Sequence, residues 1–329
     1  MIDSKTTSLE RLLKETIYPV LPNALAAMIS MLNPQQLSGL TEIRLRTNQP
    51  LLLVAGNQDF SVNSMGKVIA SDKEAYLCNQ NDIQKTIQLM SKNSLYAFEH
   101  QLRMGFLTIE GGHRVGLTGQ TILDGGEVKT LNYISGLNIR LAREVKGCAA
   151  PIIPYVVTRE GHVLNTLIIS PPRCGKTTVL RDLIRQISTG STERKGLQVG
   201  VVDERSEIAA YKNGVSLVDL GIRTDVLTNC PKGVGMLMLI RSMSPAVIAT
   251  DELGRAEDIH AVREAVNAGV NVITTVHGKE MGELVHRPYV KELVESRYFQ
   301  RYIFLSSNPT VGTVEKVIGT NLNEVLWSK

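Results

Sequence analysis

The second half of the chain alternates between apolar runs of strand length and longer segments with helical periodicity. Short apolar runs predict buried strands, and apolar residues three and four positions apart predict amphipathic helices. The predicted strands cover residues 166–169, 198–202, 246–250 and 271–275, and the predicted helices cover 177–189, 233–243 and 257–268. Strands that alternate with helices are typical of a mostly parallel sheet with helices on its faces. Ligands of such sheets bind at the carboxyl ends of the strands.

The first half of the chain has a different pattern. Residues 41–46 alternate with a period of two, which is typical of a half-buried strand. Helices are predicted over residues 9–32, with two proline interruptions, and from Asp82 as the N-cap to about residue 100. Glycines become frequent from Gly105 onward, with short β-rich runs between them. This pattern predicts a curled antiparallel sheet.

Length and composition fit two globular domains. The chain has 329 residues, of which 43% are hydrophobic, so sizeable cores are possible. We expect a smaller α+β domain over residues 1–147 and an α/β domain over residues 148–329, with Gly147–Pro151 as the linker. Residues 1–150 carry 15 Lys and Arg against 13 Asp and Glu, so the net charge of +4 is divided evenly. This balance argues against a strongly basic surface for nucleic acid.

Neither a membrane span nor a secretory signal is visible in the sequence. No apolar run approaches the roughly 18 residues that a spanning helix needs. Four cysteines are scattered without the spacing of a metal site. We therefore expect a reduced, cytosolic protein that reaches a membrane through partners or surface contact.

The most specific chemistry lies between the first predicted strand of the second half and the helix after it. The run Ser-Pro-Pro-Arg-Cys-Gly-Lys-Thr-Thr follows the pattern G-x-x-x-x-G-K-[ST], with Ser170 in place of the first glycine. Backbone N–H groups of such a loop and the positive end of the following helix bind phosphates. Lys176 is expected to reach the β- and γ-phosphates and Thr177 to offer its hydroxyl to Mg²⁺. The sequence thus predicts ATP and Mg²⁺ as cofactors, with nucleotide contacts from Ser170, Pro171, Pro172, Arg173, Cys174, Gly175, Lys176, Thr177 and Thr178.

Three more predicted strands end in polar residues that belong to the same chemistry. Asp251 is expected to hold Mg²⁺ through water, and Glu252 to polarise the attacking water. His277, after two threonines, is predicted to contact phosphate or a neighbouring strand, although a structural role is about equally compatible. A second acidic strand end converges on this edge, and Mg²⁺ and Lys176 would neutralise the carboxylates. The predicted catalytic residues are Lys176, Glu204, Glu207 and Glu252, and the predicted metal ligands are Thr177, Asp203 and Asp251.

The order of these motifs resembles the secretion ATPases of type II and type IV secretion systems and pili. That family carries a phosphate loop, an acidic box, a Walker B strand and a histidine box, in that order. The matching stretches here are Ser170–Thr177, Asp203–Glu207, Ala246–Glu252 and Thr274–His277. The resemblance implies a RecA-like P-loop ATPase domain with a mostly parallel sheet, preceded by a smaller α+β domain, and a homohexameric ring. Asp251 departs from the family, which commonly carries glycine there.

Over nearly its whole length the chain also resembles the stage III sporulation AA proteins of endospore-forming bacteria. The stretches that carry this resemblance are Thr41–Arg46, Gly105–Gly119, Ile134–Gly147, Val202–Ala209, Gly221–Leu227, Arg241–Glu252 and Ala268–Gly278. It implies an ATP-hydrolysing ring motor in the mother-cell cytoplasm. Such a motor would energise or assemble a transenvelope channel to the forespore, held at the membrane by the membrane proteins of that channel complex.

Two other functions stay open at this point. A nucleic-acid-binding RecA-like ATPase would use a basic face formed by Arg44, Arg46, Arg114 and Arg140, but the balanced charge and the lack of an aromatic stacking run argue against nucleic acid. A scaffold that binds nucleotide without turnover is disfavoured, because both acids of the second motif are present.

An arginine from elsewhere is also expected at the nucleotide. The candidates for action across a subunit boundary are Arg205, Arg223, Arg241, Arg255 and Arg263, and those for action from the first domain are Arg140 and Arg143.

Overall fold

The computed structural model describes residues 10, 12–56, 58–92, 94, 99–142, 144–211, 214–216, 218–286, 288–322 and 324–329. Arg143, one of the arginines considered above, lies outside these residues. The chain divides into two compact units, Met1–Arg143 and Glu144–Lys329. No helix of the described part of the chain is long and apolar enough to cross a membrane.

The first unit is built around an antiparallel sheet. Its strands are β1 (Leu40–Arg46), β2 (Gln49–Pro50), β3 (Leu52–Ala55), β4 (Gln58–Val62), β5 (Val68–Ile69), β6 (Leu77–Cys78), β7 (Phe106–Ile109), β8 (His113–Asp124) and β9 (Glu127–Arg140). Its α-helices are α1 (Asn23–Ser30), α2 (Pro34–Gly39), α3 (Gln80–Met90) and α4 (Glu99–Arg103), after a π-helical turn at Leu13–Ile17 and a 3-10 turn at Tyr18–Val20. Seven strands form one sheet in the order β5-β4-β3-β1-β9-β8-β7, and β2 pairs with β6.

The alternation predicted for residues 41–46 is confirmed in β1. Ile43 and Leu45 are fully buried and lie opposite Ile139 and Leu137 of β9. These cross-strand pairs form the centre of the core of the first unit.

The helix predicted from Asp82 to about residue 100 exists, but both predicted ends were wrong. Helix α3 begins at Gln80 and Asn79 is its N-cap, because the Asn79 and Asp82 side chains form a reciprocal capping box. The helix ends at Met90, and two residues later Lys92 is in the left-handed region at φ 49°. That conformation terminates a helix.

The second unit is a mostly parallel sheet with helices on both faces. Its strands are β10 (Thr166–Ser170), β11 (Val199–Asp203), β12 (Thr224–Thr228), β13 (Val247–Thr250), β14 (Asn271–His277), β15 (Arg301–Ser306), β16 (Thr313–Ile318) and β17 (Val325–Ser328). Its helices are α5 (Ile153–Val156), α6 (Lys176–Thr189), α7 (Lys232–Met243), α8 (Ala256–Asn267), α9 (Met281–Val285) and α10 (Pro288–Glu295). The sheet order is β12-β11-β13-β14-β10-β15-β16-β17. The first six strands of this order, from β12 through β15, are parallel to one another. Strands β16 and β17 are antiparallel additions at one edge.

Successive residues of the central strands point to two different cores. Ile168 of β10 belongs to the core that contains the apolar face of α6. Its neighbours Leu167 and Ile169 belong to the core that contains α7, α8 and α10. All four strands and all three helices predicted for this half are present, whereas β12, β15, β16 and β17 were not predicted.

The segment Gly147–Pro151, predicted as the linker, packs within the second unit. Ala149 is fully buried, and its N–H donates to Asp182 Oδ2 of α6 at 2.8 Å.

Candidate nucleotide-binding site

The phosphate-loop motif occupies the turn between β10 and α6. Strand β10 ends at Ser170, and α6 begins at Lys176 with Gly175 as the residue before its first turn. Gly175 has φ 86° and Arg173 has φ 64°, both in the left-handed region that glycine enters most easily. The backbone therefore turns sharply enough to place the N-terminal end of α6 at the carboxyl edge of the sheet, where it can bind an anion.

Lys176 is folded back over the end of β10. Its side chain is largely buried, and Nζ donates to the backbone carbonyls of Ser170 at 3.0 Å and Pro171 at 3.1 Å. Burial lowers the pKa of Lys176 to about 8, while electrostatic interactions with Glu252 and Cys174 act in the opposite direction. This ammonium is thus held at the mouth of the loop in a site that favours a negatively charged ligand.

A chain of polar contacts joins the phosphate loop to two neighbouring strand ends. Lys176 Nζ lies 2.8 Å from His277 Nδ1, and His277 Nε2 lies 3.1 Å from Glu252 Oε2. Because an ammonium group only donates, Nδ1 accepts from Lys176, and Nε2 faces the carboxylate of Glu252 within ion-pair distance. Sheet register explains the contact, since Ser170 of β10 pairs directly with His277 of β14. His277 was predicted to contact phosphate or a neighbouring strand. In the structure it contacts Glu252, at the end of the neighbouring strand β13, and Lys176 of the phosphate loop.

Asp251 presents a buried acceptor without a donor. Its side chain is largely buried, and Oδ1 has no hydrogen-bond partner in the described part of the chain. The ammonium of Lys232 makes an ion-pair contact with this oxygen at 3.4 Å. Burial raises the pKa of Asp251 to about 7, Asp203 and Glu207 raise it further, and Lys232 opposes them. An orphaned carboxylate oxygen of this kind is suited to a cation or a cation-bound water.

Lys232 is a buried cation at this sheet edge that was not identified from the sequence. It begins α7, is largely buried, and forms ion pairs with both Glu204 and Asp251. Burial lowers its pKa, but the two carboxylates together raise it, with a net upward direction. Lys232 lies at this edge because it follows β12, a parallel strand that the sequence pattern did not predict.

Asp203 has a different set of partners. It is fully buried at the end of β11, and its two oxygens accept the backbone N–H groups of Glu207 at 2.7 Å, Ile208 at 3.1 Å and Ala209 at 2.8 Å. Arg181 of α6 donates to the carbonyl oxygens of Glu207 and Ile208. Burial raises the pKa of Asp203, although the three N–H groups and Arg181 oppose this. Both oxygens are thus engaged in shaping residues 204–209.

The other predicted contacts divide into partly exposed and structural groups. Thr177 and Thr178 lie in the first turn of α6 and are partly exposed. Arg223 donates to the carbonyls of Ser188 and Thr189, so it caps the C-terminal end of α6. The remaining arginine candidates of the second unit are all exposed: Arg205, Arg241, Arg255 and Arg263.

The arrangement fits a Mg²⁺–nucleotide better than a metal held by protein groups alone. The described residues contain no group of three or more His, Cys, Asp or Glu side chains that could hold a metal ion. Mg²⁺ in nucleotide sites is held by one or two side chains together with phosphates and water. Thr177 and the orphaned oxygen of Asp251 match this donor set.

Comparison with known proteins decides the family. A model of the family described as "Sporulation stage III, protein AA" matches residues 11–323. The chain belongs to this family. Stage III sporulation protein AA of Bacillus subtilis (strain 168) is 42% identical over 301 residues, which cover 92% of this chain and 94% of that protein.

Solved structures with a similar fold are secretion ATPases. The Legionella pneumophila ATPase DotB matches with a TM-score of 0.57 at 15% identity, covering 86% of this chain and 76% of that one. The pilus retraction motor PilT, solved with ADP, matches with a TM-score of 0.50 at 15% identity, covering 81% of this chain and 74% of that one. This member of the sporulation family therefore shares the RecA-like fold of these proteins, with a smaller α+β unit before the mostly parallel sheet.

Proposed function

We propose that this chain is an Mg²⁺-dependent ATPase and that its carboxyl sheet edge is the active site. The observation that carries the proposal is the chain from Lys176 through His277 to Glu252, at distances of 2.8 Å and 3.1 Å. It connects the phosphate-loop lysine to a carboxylate that is suited to act on water. A phosphate loop that only bound an anion would not require this connection.

Each residue has a task that its position supports. The N-terminal end of α6 and the ammonium of Lys176 bind the phosphates and offset their charge. Glu252 is partly exposed, and it orients the attacking water and accepts its proton. His277 holds Glu252 in place through Nε2. Thr177 and Asp251 would hold Mg²⁺, which supplies charge neutralisation at the phosphates when it is bound.

Two carboxylates predicted to act directly are assigned supporting tasks. Asp203 keeps residues 204–209 in shape, because its oxygens are both bonded to backbone N–H groups. Glu204 is paired with Lys232, which also faces Asp251. We propose that the pair of Glu204 and Lys232 fixes the position of Asp251. Glu207 stays a predicted catalytic residue.

The biological role is proposed from the family and the fold together. Membership of the sporulation family supports action during endospore formation. Similarity to PilT, a pilus retraction motor, and to the ATPase DotB supports a motor that works as a ring. We propose a homohexamer in the mother-cell cytoplasm that energises or assembles a channel to the forespore and meets the membrane through the channel's membrane proteins.

A nucleic-acid-binding ATPase is less well supported. Of the arginines that could form a basic face, Arg44 is bonded to Glu42 through Nε at 2.9 Å and Nη2 at 2.6 Å. Arg114 lies over the ring of Phe106 at 3.8 Å. Both arginines are therefore engaged with other side chains of the protein, which makes them less suited to bind nucleic acid.

The test is phosphate release from ATP by purified protein, with and without a membrane fraction that contains its partners. Lys176→Ala should reduce release by about 100-fold or more, because it removes the main positive charge at the phosphates. Lys291→Ala, at an exposed lysine of α10, is the matched control and should behave like wild type. Wild-type turnover by Lys176→Ala would refute the assignment, as would a wild-type protein that is inactive under both conditions.

A ring adds a second readout to the same assay. Activity per molecule should rise with protein concentration if neighbouring subunits contribute residues. A protein that is fully active when dilute and monomeric would contradict the ring.

A further inference from the structure

The strand on the other side of the phosphate loop carries a loop whose role is not explained by phosphate chemistry. Strand β10 lies between β14 and β15, and both neighbours are parallel to it. The carboxyl ends of all three strands therefore meet at one edge. His277, Glu252 and Asp251 all lie on the β14 side, at the ends of β14 and β13. The β15 side is occupied by the loop Ser307–Gly312, which joins β15 to β16.

Sheet order fixes the direction in which a bound triphosphate must run. The groups that act on the γ-phosphate lie on the β14 side of the phosphate loop. The γ-phosphate and the nucleoside are at opposite ends of the phosphate chain, so the nucleoside end points away from those groups. That direction leads to β15 and to the loop Ser307–Gly312.

This loop touches the phosphate loop directly. A Cβ built on Gly175 would lie 3.0 Å from Gly312 Cα and 3.1 Å from Val311 Cγ1. Gly312 has φ 87°, and a Cβ built on it would lie 3.6 Å from Val179 Cγ2 in the first turn of α6. Gly175 thus lets the backbones of the two loops approach more closely than a side chain there would permit, and Gly312 supplies the left-handed turn beside it.

The loop is held in one shape by its own hydrogen bonds. Gly312 N–H donates to Ser306 O at 3.1 Å, and Thr313 N–H and Oγ1 donate to Thr310 O at 3.1 Å and 2.7 Å. Val311 stays 58% exposed beside the phosphate loop in spite of this order. A single exposed valine is ordinary on a protein surface. Its position beside Gly175, in a hydrogen-bonded loop on the nucleoside side, is what distinguishes it.

We propose that the loop Ser307–Gly312 forms the nucleoside subsite, with Val311 packing against the apolar face of the base or ribose. This inference rests on the proposed function, because it assumes that the phosphate loop binds a nucleoside triphosphate. The subsite separates recognition of the nucleoside from recognition of the phosphates, which belongs to Lys176 and α6.

The experiment compares two probes, ATP and inorganic triphosphate, by calorimetry at one fixed Mg²⁺ concentration. Wild-type protein should bind ATP more tightly than triphosphate. Val311→Ser should weaken ATP binding by about tenfold, because apolar contact area is lost, and leave triphosphate binding unchanged. Val325→Ser, at a valine of β17 that is 56% exposed, is the matched control and should change neither affinity.

The outcomes distinguish failure of the nucleoside subsite from failure of the proposed ATPase function. Equal loss for both probes in Val311→Ser would mean that the loop only supports the phosphate loop, and it would overturn the subsite. Unchanged ATP binding in Val311→Ser, or equal wild-type affinity for the two probes, would overturn it as well. Wild-type binding of neither probe, or of triphosphate alone, would remove the proposed ATPase function itself, whereas equal binding of both probes would remove only the nucleoside subsite.

Discussion

Asp203 and Asp251 stand at the carboxyl ends of neighbouring buried strands, β11 and β13, yet their carboxylates meet different surroundings. Asp203 accepts three backbone N–H groups from the residues that follow it. One oxygen of Asp251 makes no hydrogen bond with a described residue, and the Lys232 ammonium faces it at the longer ion-pair distance of 3.4 Å. The chain after Asp203 curls back over the carboxylate, and the chain after Asp251 does not. An acid at a strand end is therefore free for chemistry only where the next turn leaves its oxygens unbonded.

The largest expected effect is on catalysis at the second strand end. Glu252→Gln should lower phosphate release by about 100-fold or more, because the amide cannot accept a proton from water. Glu204→Gln should cause a much smaller loss, since Glu204 is engaged with Lys232. Rates are measured at saturating ATP for both variants. Equal losses would erase the distinction between the two acidic strand ends.

The next effect is on stability at the first strand end. Asp203→Ala should lower the free energy of unfolding by about 3 kcal/mol, because three buried N–H groups lose a charged acceptor. Urea unfolding followed by circular dichroism measures it. Asp251→Asn is the matched variant and should not destabilise the protein at about pH 8. If the two variants changed stability in the opposite order, the structural role of Asp203 would be wrong.

A smaller stability loss is expected where a cation links the two regions. Lys232→Met should cost about 2 kcal/mol, since it leaves Glu204 and Asp251 without their buried counter-ion. Adding Glu204→Gln to this variant should recover part of the loss in the same unfolding assay. A double variant less stable than the sum of both single changes would argue against the ion pair.

The last prediction is a pH dependence at Asp251, which is spread over several pH units. The pKa of Asp251 is raised from its ordinary value of 3.8 to about 7, so the folded state holds a proton that the unfolded state releases. The stability of wild type relative to Asp251→Asn should therefore fall as pH rises from about 4 to about 7, by at most about 1.4 kcal/mol per pH unit. Unfolding in EDTA avoids metal binding. A flat difference, or one that rises with pH, would show that burial does not dominate at Asp251.

The parts of this site that the sequence predicts are those with local signals. The phosphate loop has a motif, and its flanking strand and helix have clear apolar patterns, so β10 and α6 were placed within one residue of their ends. Strand β12 is partly exposed along its whole length and mixes Thr and Asp with Val and Leu, so its pattern is weak. Strand β15 has four consecutive buried residues, Tyr302–Leu305, and was within reach of the same reasoning.

Other features depend on contacts between distant segments. Lys232 acquires its role only when β12 places it beside β11 and β13. The structural role of Asp203 depends on how residues 204–209 fold back, which a row of acids does not encode in any periodic pattern. Motif order thus predicts which strand ends meet, but backbone hydrogen bonds determine which carboxylate remains available.

The central claim is that the sheet edge around Lys176, Asp251 and Glu252 hydrolyses ATP. Its most direct test is the rate of phosphate release from ATP with Mg²⁺ by wild type and by Asp251→Asn, after circular dichroism has shown that both are folded. We predict measurable release by wild type and a loss of about 100-fold in the variant, because the Mg²⁺ ligand is neutralised. Equal rates for the two folded proteins would contradict the account.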